Sequence, residues 1–120
     1  MKGRAEAQVL LTSLSPFGLA ISLITYGEIY EGIYFGANPK RQERGFLAFL
    51  REVDVIPLNR QIMKRFARIR GELRSTGNIV PDPDILIAST AIHYGLTMVT
   101  RNLRHFERIA GITDLSIYQS

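Results

Sequence analysis

Short apolar runs and helical spacings alternate along this chain. Runs of adjacent apolar residues predict buried β-strands at Leu19–Ser22, Val53–Leu58, Leu96–Thr100 and Leu115–Gln119. Between these runs, apolar residues recur three and four positions apart, which is typical of helices that bury one face. Strands that alternate with helices form a parallel sheet covered by helices, so the pattern predicts an α/β sandwich.

Cap and turn residues set the ends of the predicted helices. Ser22 or Thr25 caps the helix that follows the first strand, and Asn59 caps the most regular helix. The predicted helices are Glu6–Leu14, Leu23–Gly36, Lys40–Val53, Asn59–Gly77, Ile85–Gly95 and Leu103–Ile109. Their clearest buried faces are predicted at Phe46, Leu47, Phe49 and Leu50 and at Ile62, Phe66, Ile69 and Leu73.

The composition fits one packed domain without cysteine chemistry. The chain has 120 residues, of which 46% are apolar and 22% are charged, so a single globular domain over residues 1–120 is expected. The absence of cysteine excludes disulfides, a thiol nucleophile and a cysteine-based zinc site. With only two histidines, any metal would be held by oxygen, which favours magnesium or manganese. No apolar run approaches the ~20 residues of a membrane span, and polar residues interrupt the faintly signal-like start, so a cytoplasmic protein is expected.

The net charge of +4 is unevenly distributed. Basic residues crowd one predicted helix, in which Glu72 is the one acid between Arg60 and Arg74. They are Arg60, Lys64, Arg65, Arg68, Arg70 and Arg74. A solvated helix face is the ordinary explanation of such a run, and a surface that faces nucleic-acid phosphates is the other.

Three acidic residues have a structural explanation in the sequence. Asp82 is a good helix cap, and Asp84 in the first turn suits the positive end of the helix dipole. Thr25 and Glu28 have the spacing of a capping box. Helix initiation alone could therefore account for all three acids.

Their placement in the predicted sheet favours a second explanation. Glu28 lies one turn into a helix that follows a strand, and the strand Leu96–Thr100 ends in Thr-Arg-Asn. Ligands of open α/β sheets bind at the carboxyl ends of the strands, where Glu28, Asp84 and Asn102 can converge. Converging carboxylates raise each other's pKa unless a cation lies between them. Mg²⁺ held by a few carboxylates lowers the pKa of a bound water and stabilises in-line attack on phosphorus.

The chain resembles the PIN-domain family, and in particular the VapC-type toxins of prokaryotic toxin–antitoxin pairs. The resemblance lies in "ISLITYGEIYEG", in "PDPDILIASTAIHYGLTMVTRN" and in "HFERIAGI", and it covers nearly the whole chain. It implies a magnesium- or manganese-dependent ribonuclease with an α/β/α sandwich. The partners it implies are an RNA substrate, a cognate antitoxin that inserts an arginine among the acids, and a second copy of the chain.

The resemblance also implies roles for individual residues. Glu28 matches the family's second acid, Asp84 the third, and Asn102 the fourth position. Asn102 is a neutral and weaker ligand that supports the site through water, and Thr100 is placed to orient a water or a ligand. Asp82 lies at the periphery as the helix cap.

The family's first acid and its N-terminal strand have no match in this sequence. The segment "KGRAEA" resembles the second half of the family's first helix, so the sandwich is predicted to lack its first central strand. Such a sheet would expose two strand edges and recruit another chain by dimerisation or strand exchange. A non-catalytic module that binds antitoxin or RNA is therefore the alternative to a working ribonuclease.

The remaining candidates favour structural roles. His93 is expected to be half-buried in an apolar helix, and His105 to lie at the surface. The aromatic side chains of the early helix are expected in the core or, where exposed, in a subunit interface: Tyr26, Tyr30, Tyr34 and Phe35. No Gly-rich phosphate loop is present, since "GNIVPDPD" lacks the required spacing.

Overall fold

The computed structural model describes residues 10–12, 18–100, 103–110 and 116–119, and these residues form ten helices and strands. In chain order they are β1 (Leu10–Thr12), β2 (Leu19–Ser22), α1 (Leu23–Tyr34), α2 (Pro39–Leu50), β3 (Val53–Ile56), α3 (Arg60–Ser75), α4 (Asp82–Tyr94), β4 (Thr97–Thr100), α5 (Leu103–Ala110) and β5 (Ser116–Gln119). The predicted alternation of strands and helices is confirmed from β2 onwards. The helices in the described ranges include none that is both long and apolar enough to cross a membrane.

The strands form one five-stranded sheet in the order β3-β2-β1-β4-β5. Strands β2 and β3 are parallel, and so are β4 and β5. Strand β1 lies in the middle and runs antiparallel to both β2 and β4. The α/β sandwich is confirmed, but its sheet is mixed at the centre instead of parallel throughout.

The middle strand corrects two expectations. Helix Glu6–Leu14 is wrong at Leu10–Thr12, which is a strand, and the rest of that predicted helix lies outside the described residues. The two strand edges that were expected to be exposed are likewise paired, since β1 lies between β2 and β4. Without β1, the facing edges of β2 and β4 would carry unpaired N–H and C=O groups. Strand β1 pairs with both edges and buries the Leu11 side chain completely. This non-local pairing outweighs the local helical spacing.

Helices cover both faces of the sheet. Successive side chains of a strand point to opposite faces, and in β2 Ala20 and Ile21 belong to different hydrophobic clusters. The larger cluster joins Ala20, Leu11 and Met98 to helices α3, α4 and α5. The smaller cluster joins Ile21 to α1 and α2.

Most predicted buried faces are confirmed. Helix α3 buries Ile62, Ile69 and Leu73, with Phe66 half-buried beside them. Helix α2 packs through Phe46, Phe49 and Leu50, at the i, i+3, i+4 spacing of a single face, whereas Leu47 is exposed. The prediction that Leu47 is buried is therefore wrong, since it lies outside this stripe.

Candidate active site at the carboxyl edge of the sheet

Two buried hydroxyl groups mark the carboxyl edge of the sheet. Strand β1 pairs Leu11 with Ala20 on one side and with Met98 on the other. Because β2 and β4 both run antiparallel to β1, Ser22 and Thr100, each two residues further on, lie level with each other. Two strand spacings separate them, about 10 Å. Ser22 is 0% exposed and Thr100 is 1% exposed, so both hydroxyls belong to the interior of this edge.

Helix α1 begins directly at this edge. The Ser22 hydroxyl accepts a hydrogen bond from the backbone N–H of Thr25 at 3.1 Å, which makes Ser22 the N-cap. Thr25 is buried inside the first turn, so the capping box of Thr25 and Glu28 is wrong. Helix initiation therefore does not explain Glu28.

Glu28 lies on the inward side of α1. It follows Ile24 by four residues, and positions four apart share a helix face. Ile24 packs against the larger hydrophobic cluster, which includes Ile85 in the first part of α4. Glu28 is half-buried one turn further along. Its carboxylate therefore belongs to the side of α1 that faces the sheet edge and α4.

Helix α4 brings Asp84 to the same edge from the opposite face. Only Gly95 and Leu96 separate the end of α4 from β4, and Gly95 adopts the left-handed conformation (φ 65°) that ends the helix. The helix therefore runs antiparallel to β4, and its first turn lies towards the carboxyl end of the strand. Asp84 is half-buried, and its Oδ2 atom is shielded from solvent.

Asp82 does not cap the helix, and this prediction is wrong. The N-cap is Pro81, whose carbonyl accepts from the backbone N–H groups of Asp84 and Ile85. Asp82 is the first helical residue, and its Oδ1 accepts from Nε of Arg70 at 2.7 Å. The ion pair ties α4 to α3 at the surface. No local sequence signal indicated it, because Arg70 lies on another helix.

Glu28 and Asp84 approach one edge from opposite faces of the sheet. Helices α1 and α4 lie on opposite faces and nevertheless contact each other, so they meet beyond the carboxyl end of β2. Thr100 ends β4 at this same edge. Asn102, the fourth predicted member of the site, lies outside the described residues.

The chemistry of this edge fits a divalent cation held by oxygen. No cluster of three or more acidic or histidine side chains occurs within the ranges that the structure describes. Mg²⁺ retains several waters and is commonly held by only one or two carboxylates, so a pair of acids beside buried hydroxyls meets its needs. The shielded Oδ2 of Asp84 supports the fit, because a buried carboxylate oxygen is stabilised by a nearby positive charge.

The other candidates lie away from this edge. His93 is half-buried, as predicted, and its ring stands edge-on to the Tyr94 ring at 4.7 Å. Tyr26 and Tyr30 pack around Phe46 with ring centroids 5.1–5.6 Å apart. The hydroxyl of Tyr30 donates to Glu43 at 2.8 Å, and this hydrogen bond raises the pKa of Tyr30 to about 12. Tyr30 therefore serves packing between α1 and α2. The side chain of His105 lies outside the described part of the chain.

Comparisons with known proteins agree with this architecture. The PIN domain family matches residues 2–112. The tRNA(fMet)-specific endonuclease VapC of Salmonella typhimurium is 35% identical over 100 residues, which are 83% of this chain and 76% of that protein. Ribonuclease VapC2 of Haemophilus influenzae is 31% identical over 94 residues, or 78% of this chain and 71% of that protein.

Solved structures show the same fold. VapBC-1 from nontypeable Haemophilus influenzae superposes with a TM-score of 0.79 at 27% identity, covering 88% of this chain and 77% of that one. A toxin–antitoxin complex from Klebsiella pneumoniae superposes with a TM-score of 0.61 at 28% identity, over 84% of this chain and 75% of that one. This chain therefore belongs to the PIN domain family, among the VapC-type ribonucleases.

Proposed function

We propose that this chain is a VapC-type toxin that hydrolyses RNA phosphodiester bonds at the carboxyl edge of its sheet, with Mg²⁺ or Mn²⁺ as cofactor. The observation that carries the site is the meeting of α1 and α4 beyond the end of β2. This meeting supports a site that Glu28 and Asp84 enter from opposite faces of the sheet. Neither acid is needed there as a helix cap, since Ser22 and Pro81 occupy the cap positions.

Each residue has a distinct part in the proposed site. Glu28 and Asp84 hold the metal ion through their carboxylates. When bound, the ion lowers the pKa of a water and stabilises the negative charge that develops on the phosphate. Thr100 orients a water through its buried hydroxyl, and Asn102 supports the site through a water-mediated contact. The rigid strand end fixes Thr100, which is what positioning a small reactant requires.

A direct test combines a structured RNA with the purified chain in the presence and absence of Mg²⁺. We expect endonucleolytic cleavage with Mg²⁺ or Mn²⁺ and none with excess EDTA, followed on a denaturing gel. Added back after EDTA, Mn²⁺ should restore the same cuts. Cleavage that persists in EDTA would contradict the metal-dependent mechanism.

A binding module without catalysis remains the second candidate. The observation that favours it is that the described part of the chain gathers no group of three acidic or histidine side chains. Under this alternative, the chain would bind RNA equally well with Mg²⁺ and with EDTA, and RNA incubated with it would stay intact. The gel described above separates the two functions.

Partners and surroundings follow from the same proposal. We propose that a cognate antitoxin covers the acidic edge by inserting an arginine, because an arginine–carboxylate pair is strong in a partly buried site. We further propose a single PIN-like domain over residues 1–120 that acts in the cytoplasm as a homodimer. Relatives whose solved structures are VapBC or toxin–antitoxin complexes support the antitoxin partner.

The exposed end of α1 provides a test of self-association. Phe35 is 84% exposed and Tyr34 stands beside it, an apolar pair that predicts an interface. We expect Phe35→Ser to shift the chain towards monomer in sedimentation velocity. Ile79→Ser is the matched control, since Ile79 is 83% exposed and lies in the connection between α3 and α4. Equal behaviour of the two variants would place the interface elsewhere.

A further inference from the structure

The basic run of α3 divides into two parts that behave differently. In the second half of the helix, Arg70 is paired with Asp82. Nearer its start, Lys64, Arg65 and Arg68 are exposed, and none of the three has an ion pair with another residue that the structure describes. Lys64 and Arg65 lie four and three positions before Arg68, and like charges at these spacings destabilise a helix. No ion pair with a described residue offsets this repulsion.

These cations border a shallow cavity between two helices. Helices α3 and α4 pack antiparallel, since Asn59 at the start of α3 reaches the Tyr94 hydroxyl at 3.5 Å while Arg70 reaches Asp82. The cavity of about 540 Å³ lies at the Asn59 end and is lined by Gln61, Lys64, Arg65, Arg68 and His93. Its lining combines three positive charges with the amide of Gln61 and the imidazole of His93. Among the residues that the structure describes, no carboxylate lines it.

The cavity lies well away from the acidic edge. His93 follows Asp84 by nine residues on α4, which corresponds to about 14 Å along the helix axis. A single ligand that contacts both the cavity and the acidic edge must therefore be extended and carry negative charge along its length. The sugar–phosphate backbone of RNA has both properties, whereas a free phosphate or a mononucleotide could occupy only one of the two places.

We propose that the face of α3 around Lys64, Arg65 and Arg68, with Gln61 and His93, binds the RNA backbone several nucleotides away from the bond that is cut. The proposal rests on the ribonuclease function proposed above and adds a second contact region to it. Arginine and lysine pair with phosphate oxygens and release counterions, so this contact strengthens binding without reading sequence. It also offsets the repulsion between RNA and the carboxylates of the acidic edge.

The test uses a double substitution with a matched control. Arg65→Gln/Arg68→Gln removes two charges from the proposed surface and keeps good helix formers. Arg41→Gln/Arg44→Gln removes the same charge from α2, where both arginines are exposed on the opposite face of the sheet. Binding of a fluorescent single-stranded RNA of about 20 nucleotides is measured by anisotropy in EDTA, so that no cleavage is needed.

We expect the α3 double variant to bind this RNA at least about tenfold more weakly. The plot of the logarithm of the association constant against the logarithm of the salt concentration should become less steep by roughly 1.4, since each phosphate contact to a single strand contributes about 0.7 to the steepness. The α2 double variant should bind almost as the unsubstituted chain does. Equal losses in both variants, or no loss in the α3 variant, would overturn the proposal. Preferential binding of poly-glutamate over RNA would also overturn it, in favour of an acidic protein partner.

Cleavage kinetics supply an independent reading with Mg²⁺ present. The α3 double variant should raise KM for the long RNA and leave kcat unchanged, because the contact is remote from the reacting phosphate. An RNA of about four nucleotides is too short to reach both regions, and its cleavage should be unaffected. If the unsubstituted chain cleaves nothing, the proposed function fails, while the binding measurement in EDTA still decides whether this surface binds RNA.

Discussion

Asp84→Asn should lower RNA cleavage by at least about 100-fold, since even groups that only orient a metal ligand cost 10–100-fold when replaced. The carboxylate lies in the first turn of α4 with Oδ2 shielded from solvent, where it is placed to hold a divalent ion. Asparagine has nearly the same shape and keeps one oxygen, but it lacks the charge that the ion requires. Cleavage of a labelled RNA and Mn²⁺ binding followed by electron paramagnetic resonance should both fall.

Asp82→Asn is a control from the same helix turn. Both substitutions remove a negative charge near the start of α4, and each should lower the free energy of unfolding by only about 0.3–1 kcal/mol. The Asp82 variant also loses an exposed ion pair with Arg70, worth roughly 0.2–1 kcal/mol. Its cleavage and Mn²⁺ binding should stay close to those of the unsubstituted chain. Equal losses of activity in the two variants would mean that Asp84 only supports the helix.

Glu28→Gln tests whether the two acids act together. If Glu28 and Asp84 hold one ion, the double variant should be hardly less active than either single variant, because groups that act as a unit are strongly non-additive. Additive losses would instead indicate two independent roles. The two acids come from helices on opposite faces of the sheet, so non-additive losses would show that both act on the same ion.

Local signals predicted much of the fold and part of the site. Asn59 and Gly95 act at short range, and they begin and end helices where the sequence predicted it, while Ser22 is one of the two caps that the sequence offered for α1. Glu28 and Asp84 were predicted for one edge because strand ends of an open sheet share an edge, a rule that needs only the element order. Asp82 was assigned wrongly because its partner, Arg70, lies on a different helix. A cap and an ion pair make similar demands on a sequence, and only tertiary structure distinguishes them.

The middle of the sheet could not be predicted for a related reason. Leu10–Thr12 is too short to show a strand pattern, and its apolar residues also fit a helix. What makes it a strand is hydrogen bonding to β2 on one side and, on the other, to β4, which lies more than 80 residues further along the chain. Burial on a sheet surface depends on such neighbours more than on local preference.

Leu11→Ala should therefore lower the free energy of unfolding by about 2–5 kcal/mol, as expected for a large side chain removed from a packed core. Leu11 is 0% exposed, and it pairs with Ala20 and Met98 across the centre of the sheet. Urea unfolding followed by circular dichroism measures the change. Because β1 keeps Ser22 and Thr100 level at the carboxyl edge, RNA cleavage should become more sensitive to urea in the same variant.

Leu19→Ala provides the comparison that gives this result its meaning. Leu19 opens β2 opposite Thr12 and is 41% exposed, so its truncation should cost less than about 1 kcal/mol. A large difference between the two variants would establish that β1 is buried between β2 and β4. A small cost for Leu11→Ala would mean that this segment does not hold the sheet together. Contacts other than the pairing of β1 would then have to hold Ser22 and Thr100 level with each other and fix the geometry of the acidic edge.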